Sequence, residues 1–269
     1  MKNLYFALTE EFNAQGTIAL LASGQAVVYY RLAMMSKDGD WVLRETPEAC
    51  GRVLEVLARH GAGYRPGAPL DVRWLCGGWS SHFEFLDAEG RRIRCDFVTR
   101  PPRVDLAEME ICFGRPPREG SLPVVDLESL IRMKRTQRAK DYPVIGELAR
   151  LLPPERELEF TTDPDRLLEL APLYAEGSKR PAVQTATKGG AREEVVVALA
   201  READRLQQAD RVWLAAYQDA SFGYLQEFVR QRLGDLPLFQ AHESLCRLAE
   251  RLLPPNPFPE VDDAAPERG

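Results

Sequence analysis

Apolar and polar positions alternate with two different periods along this chain, and the change of period divides it. Residues 3–14 repeat at helical spacing through Leu4, Phe6, Ala7, Leu8 and Phe12. The run Ile18-Ala19-Leu20-Leu21-Ala22 is short and wholly apolar, as in a buried strand. Ser23-Gly24 breaks it, and helical spacing resumes over 25–35 through Val27, Val28, Leu32 and Met35. Residues 40–44 read as the next strand. Thr46 then caps a helix that Pro47 opens, whose buried side carries Val53, Leu54, Val56 and Leu57 and which Gly61 ends. Asp71 to Leu75 reads as a strand. His82–Leu86 and Arg92–Val98 flank a turn at Ala88-Glu89-Gly90, which predicts a hairpin stopped by Pro101-Pro102.

From about Asp126 the pattern turns helical. The spacing predicts helices over Leu127–Lys140 and Tyr142–Leu152, a linker at Pro153-Pro154, and a helix starting at Asp163-Pro164. Residues 177–190 read as a mobile surface loop without the spacing of a phosphate-gripping motif. Helices are expected over 191–208, 210–232 and 238–252, with a disordered tail from Pro254. The expected fold class is therefore α+β: a mixed sheet flanked by helices over 1–125, then a helical domain over 126–253, then a tail over 254–269.

Composition changes this picture little. The chain has 269 residues, 45% apolar and 28% charged, an ordinary globular balance. A net charge of -6 argues against a general nucleic-acid coat protein, though not against a local basic patch. No apolar run reaches the length of a membrane span, and acids interrupt the N-terminus within ten residues, unlike a secretory signal. The five cysteines are widely spaced with no C-x-x-C pair, which fits reduced thiols in a cytoplasm. His60, His82 and His242 show no ligand spacing with them, so metal ligation by Cys or His is not expected.

Candidate chemistry lies in Ser36-Lys37-Asp38-Gly39-Asp40-Trp41. On a strand, i and i+2 share a face, so Asp38 and Asp40 project side by side. At about 5 Å and an effective dielectric near 20 their repulsion is roughly 3 kcal/mol, so they are either solvated or used on a cation. A solvated Lys-Asp-Gly-Asp turn is the plain alternative. In the strand 92–98, Asp96 alternates with Cys95 and Phe97 and is the best third carboxylate if that strand joins the one carrying Asp40. Three carboxylates suit magnesium, and the small-residue turn Ser23-Gly24 before a helix lets backbone N–H groups approach a phosphate.

This ordered set resembles the nucleotidyltransferase superfamily, with its polymerase-β-like fold and its antitoxin- and abortive-infection-type branches. The resemblance covers roughly residues 15–152. It implies magnesium at Asp38, Asp40 and Asp96, and a nucleoside triphosphate held by Ser23, Gly24 and Ser36, with Lys134 or Lys140 offsetting its charge. The implied reaction moves a nucleoside monophosphate onto a hydroxyl of RNA, protein or a small molecule. Three positions depart from the family pattern: Ser precedes Gly in the turn, Gly39 stands between the acids where an apolar residue is usual, and Met34 stands where an Arg is frequent. A second reading is therefore a non-catalytic binding module, an antitoxin-like partner of another protein. The bases Lys134, Arg135, Arg138 and Lys140 read equally as a solvated helix face. His82 reads as a satisfied strand histidine.

Overall fold

The computed structural model describes residues 3–115 and 121–258, with the side chain of Lys140 outside the described residues. The chain divides into two compact units, Met1–Val125 with Ala215–Gly269, and Asp126–Leu214.

In the first unit, helix α1 (Leu4–Phe12) starts where the Asn3 side chain accepts a hydrogen bond from the Tyr5 N–H. It leads to strand β1 (Ala19–Ala22), helix α2 (Ser23–Tyr29), strand β2 (Asp38–Leu43), helix α3 (Pro47–Arg59), strand β3 (Gly63–Tyr64), helix α4 (Val72–Leu75), the β4 (Ser81–Leu86) and β5 (Arg92–Val98) hairpin, and helix α5 (Leu106–Gly114). Among the described residues the strands form one mixed sheet in the order β1-β2-β5-β4-β3. Only β2 and β5 run parallel. The α+β class, with a mixed sheet flanked by helices, is therefore the observed one.

The alternation along β2, β4 and β5 sorts the two faces. Gly39, Trp41, Phe83, Phe85, Ile93, Cys95 and Phe97 point into the core. Trp41 stacks on Phe97 at 5.3 Å between ring centroids, and Phe12 meets both edge-on. The indole N–H of Trp41 donates to Thr9 Oγ1 at 2.9 Å, so the buried ring keeps its polar atom satisfied. The opposite positions are Asp38, Asp40, His82, Glu84, Arg94 and Asp96, a polar face.

The second unit is helical: α6 (Leu127–Lys134), a 3-10 turn Ala139–Asp141, α7 (Tyr142–Ala149), α8 (Pro154–Phe160), α9 (Pro164–Tyr174), α10 (Pro181–Thr187) and the start of α11 (Arg192–Arg230). Leu158, Leu167, Leu170, Ala171, Ala182, Val183 and Val195 make its core. Arg180 crosses it, donating to Glu202 and to the carbonyls of Leu158 and Thr161. After α11 and a 3-10 turn, Leu233–Asp235, helix α12 (Leu238–Leu252) ends the regular structure. Its Leu238, Ala241, Leu245, Leu248 and Ala249 join the same core as the sheet. Residues 215–253 thus group with the αβ unit, whereas the sequence placed them in a separate helical domain.

Several elements differ from expectation. α2 stops at Tyr29, not near 35, because Arg31 takes a left-handed φ of 63° and the N–H groups of Arg31 and Leu32 close back on Val28 and Val27. Residues 71–75 are helical, because the Asp71 carboxylate accepts from the Arg73 N–H and starts a turn. The helix expected to Lys140 ends at Lys134, where Arg135 leaves helical backbone and its guanidinium donates to the Glu159 carbonyl. Pro154 and Pro181 each open a helix at its first turn, in place of a linker and a loop. The two helices expected over 191–232 are one, with no Gly or Pro at 208–210 to break them. α5, unassigned from the sequence, starts with a capping box of Asp105 and Glu108. Of the expected tail, 259–269 lie outside the described residues; before them the Pro254 carbonyl accepts from the Trp79 indole at 2.8 Å. No helix of the described residues is long and apolar enough to cross a membrane.

Candidate functional site

Strand register decides which acids share a surface. In the parallel β2–β5 ladder, Asp40 stands opposite Asp96 and Asp38 opposite Arg94. Asp38 lies two residues from Asp40, so all three aspartates project from one face of the sheet. Adjacent strands are about 4.8 Å apart, which sets the spacing of Asp40 and Asp96 at their backbone. On the other side, antiparallel pairing sets Ala22 opposite Asp40, so Ser23 and Gly24 follow directly beside the acids.

The turn at Ser23-Gly24 is tight for two reasons. Ser23 has a left-handed φ of 48°, a conformation that costs a non-glycine residue roughly 1–2 kcal/mol. A Cβ on Gly24 would lie 2.3 Å from the Ser36 hydroxyl and 3.0 Å from the Ser36 Cβ, so the bare glycine lets Ser36 sit against the turn in this rotamer. The loop before β2 is pinned there. Gln25 Nε2 donates to the Ser36 carbonyl at 2.9 Å, and the Tyr5 hydroxyl donates to the Lys37 carbonyl at 2.6 Å. Ser36 Oγ donates to the Asp38 carbonyl at 3.3 Å. Ser23, Gly24, Ser36, Asp38, Asp40 and Asp96 are thus brought together at one end of β1 and β2.

Three positions singled out in the sequence have local explanations. A Cβ on Gly39 would fall 2.4 Å from the Trp41 ring and 2.5 Å from the Tyr5 ring. Those two aromatics fill the space that an apolar middle residue would occupy. Met34 is 99% exposed, so nothing of the site leans on it. The left-handed φ at Ser23 is one that a glycine adopts freely.

Nitrogen-bearing side chains face the acids. His82 Nδ1 lies 2.8 Å from Asp96 Oδ1, and Arg65 Nη1 lies 3.2 Å from the same oxygen. Arg94 Nη1 is 3.8 Å from Asp38. His82 Nε2 also meets Ser80 Oγ at 3.0 Å, and that hydroxyl meets Tyr217. A Cβ on Gly67 would strike the His82 ring at 2.5 Å, so a glycine makes room for it. The negative field still reaches the core. Burial first, then the Cys95 thiol, with smaller contributions from Asp38 and Asp40, push the Tyr5 hydroxyl up to about 12. Burial and then Asp96 and Asp40 raise the Cys95 thiol as well.

Lys134 and Lys140 belong to the other unit. Lys134 is buried there, 3.5 Å from Asp141, rather than on a solvated face. Lys140 lies in the 3-10 turn, and its side chain is outside the described residues. Arg65 and Arg94 went unnoticed in the sequence. Arg94 carried a signal, since it alternates in phase with Asp96. Arg65 carried none, because β3 is only two residues long. A further grouping was missed although the i, i+4 spacing of His242 and Cys246 carried half of it: among the described residues, Asp71, His242 and Cys246 have ligating atoms within 4.8 Å of one another.

No family model matches the chain, and no curated protein does. Solved structures similar to it include that of a candidate nucleotidyltransferase from H. pylori, at 14% identity and a TM-score of 0.39, covering 78% of this chain and 95% of that one. Another is JHP933 from Helicobacter pylori, at 15% identity and a TM-score of 0.38, covering 83% of this chain and 95% of that one. At these values the likeness carries no argument about activity.

Proposed function

We propose that the acidic face of β2 and β5 is the site of a magnesium-dependent nucleotidyltransferase, which moves a nucleoside monophosphate from a nucleoside triphosphate onto a hydroxyl of RNA, protein or a small molecule. The observation that carries this reading is the β2–β5 register. It puts Asp38, Asp40 and Asp96 on one face, beside a turn whose Ser23 is strained and whose Gly24 packs closely on Ser36. Strain held at a small-residue turn next to acids is characteristic of functional sites.

The donor set fits magnesium, which takes carboxylate oxygens together with substrate phosphates. Asp38 and Asp40 would hold it, with Asp96 completing the set. When bound, the ion neutralises phosphate charge and favours in-line displacement at phosphorus. The chain's own groups do the rest. Gly24 leaves the backbone bare for a phosphate, and the Ser23 hydroxyl offers one donor. Arg94 lies near Asp38 as a further cation for phosphate oxygens. His82 and Arg65 fix the Asp96 carboxylate, which would accept the proton of the acceptor hydroxyl. The opposing pairs at Asp38 and Asp96 also favour the second reading, a binding module whose acids are already satisfied by side chains.

Transfer of label separates the two readings. Purified protein with magnesium is incubated with each nucleoside triphosphate labelled at the α- or the γ-phosphate, in the presence of total RNA or lysate protein. The enzyme reading expects α-label, and not γ-label, in an acceptor. It expects Asp40→Asn to lower the rate about a hundredfold or more, since several kcal/mol of charge stabilisation depend on the carboxylates. Nucleotide binding with no transfer of either label favours the binding module.

A further inference from the structure

We propose that Asp71, His242 and Cys246 form a binding site for a divalent transition-metal ion of zinc-like chemistry, separate from the aspartate face. His242 and Cys246 are four residues apart on α12 and so share one face of that helix. Asp71 caps α4 and meets them from the opposite side. His242 Nε2 lies 3.7 Å from Cys246 Sγ, and Cys246 Sγ lies 4.0 Å from Asp71 Oδ2. Donors around a tetrahedral zinc, at about 2.0–2.3 Å from the ion, are roughly 3.3–3.6 Å apart. The two pairs that share Cys246 are thus within a few tenths of an ångström of that spacing, and the His242 and Asp71 ligating atoms lie within 4.8 Å of each other.

The surroundings suit ligation. His242 Nδ1 is held by the Tyr64 hydroxyl at 2.8 Å, and that hydroxyl also accepts from the Leu70 N–H at 3.0 Å. This bond on the far nitrogen aims Nε2 at the other two donors, the arrangement by which metal-binding histidines are oriented. Arg73 grips the Asp71 carboxylate, with Nη2 at 2.9 Å from Oδ2, and is itself shared with Glu250. Arg73 Nε lies 3.1 Å from Oδ1 as well as from Oδ2, so Arg73 keeps a hydrogen bond to Oδ1 when Oδ2 ligates. One aspartate, one thiolate and a neutral imidazole cancel the charge of a divalent ion. All three residues are half-buried rather than sealed, which leaves a path for the ion and a fourth position for water. Such an ion would join α12 to α4 across some 170 residues of chain, where a cross-link restricts the unfolded chain strongly.

Cobalt reads this site directly. Full-length protein, stripped of metal by a chelator and kept reduced with a non-thiol reductant, is titrated with Co²⁺. Wild type is expected to give a thiolate-to-cobalt charge-transfer band and visible bands of a four-coordinate ion at one equivalent, and zinc should displace them. Cys246→Ser should lose the charge-transfer band. Asp71→Asn, which keeps the helix cap, and His242→Gln should each weaken binding at least about tenfold. Asp38→Asn/Asp40→Asn should leave the band unchanged, and zinc should raise the thermal midpoint of wild type but not of Cys246→Ser. Circular dichroism establishes that each variant is folded, and if Cys246→Ser is not, His242→Gln decides. Absence of a band in folded wild type at excess cobalt overturns the proposal, as does a band that persists in Cys246→Ser.

Discussion

Gly39 shows how a single residue can look like a defect in sequence and be a requirement in structure. Between two aspartates it reads as turn chemistry. In the fold it is the middle of a strand, with the Trp41 and Tyr5 rings pressed against its bare Cα. Tyr5 is 34 positions earlier in the chain, so nothing local announces the contact. Gly39→Ala is expected to destabilise the protein by about 1–3 kcal/mol, as overpacking does, measured as a lower denaturant midpoint at unchanged slope. A neutral result would mean that the rings move aside freely. Ser23 makes the reverse case, since its left-handed backbone suits glycine better. Ser23→Gly is expected to raise stability by about 1 kcal/mol in the same measurement while weakening nucleotide binding through loss of the hydroxyl. Both outcomes from one substitution would mark a residue kept for function against its own stability.

At the scale of elements, sequence reading succeeded where a periodic pattern had a matching partner. The β4–β5 hairpin, α3 with its Thr46 cap and the start of α9 at Asp163-Pro164 follow from local chemistry. The pairing of Asp40 with Asp96 was legible only as a condition, because alternation shows which residues share a face but not which strands are neighbours. Two of the misreadings share a cause: a side chain redirected the backbone. Asp71 turned an alternating run into a helix, and Arg135 ended a helix by reaching carbonyls 24 residues away. Such contacts carry stability that depends on charge. Between α6 and α8, hydrogen bonds from Arg156 hold the Glu128 carboxyl below its ordinary value. A depressed folded pKa contributes stability above the unfolded value and loses it as pH falls through the folded one. Acid titration is therefore expected to weaken the second unit below about pH 4.3, and Glu128→Gln should flatten that loss. An unchanged acid profile in Glu128→Gln would assign the loss to other carboxyls.

At the scale of the molecule, the change of period near residue 126 marks a true boundary between compact units, but the core of the first unit is not a contiguous stretch of chain. Tyr224, Phe228, Leu233, Leu238, Leu245 and Leu248 are buried in the same cluster as Trp41, Phe83 and Phe97. An amphipathic helix announces that it has an apolar face, not which sheet that face covers. A fragment ending at 125 lacks all these residues and is expected to show no cooperative unfolding, whereas the full chain does; a sharp transition in the fragment would contradict that. The same core carries the sheet that sets the three aspartates, so their role is tested in the intact protein. The most direct test is calorimetric titration of a nucleoside triphosphate into wild type and Asp40→Asn, each with and without magnesium. The account predicts binding of one nucleotide that requires magnesium and weakens at least about tenfold, or 1.4 kcal/mol, in Asp40→Asn. Binding that ignores both magnesium and Asp40, or none by folded wild type to any nucleotide at millimolar concentration, would contradict it.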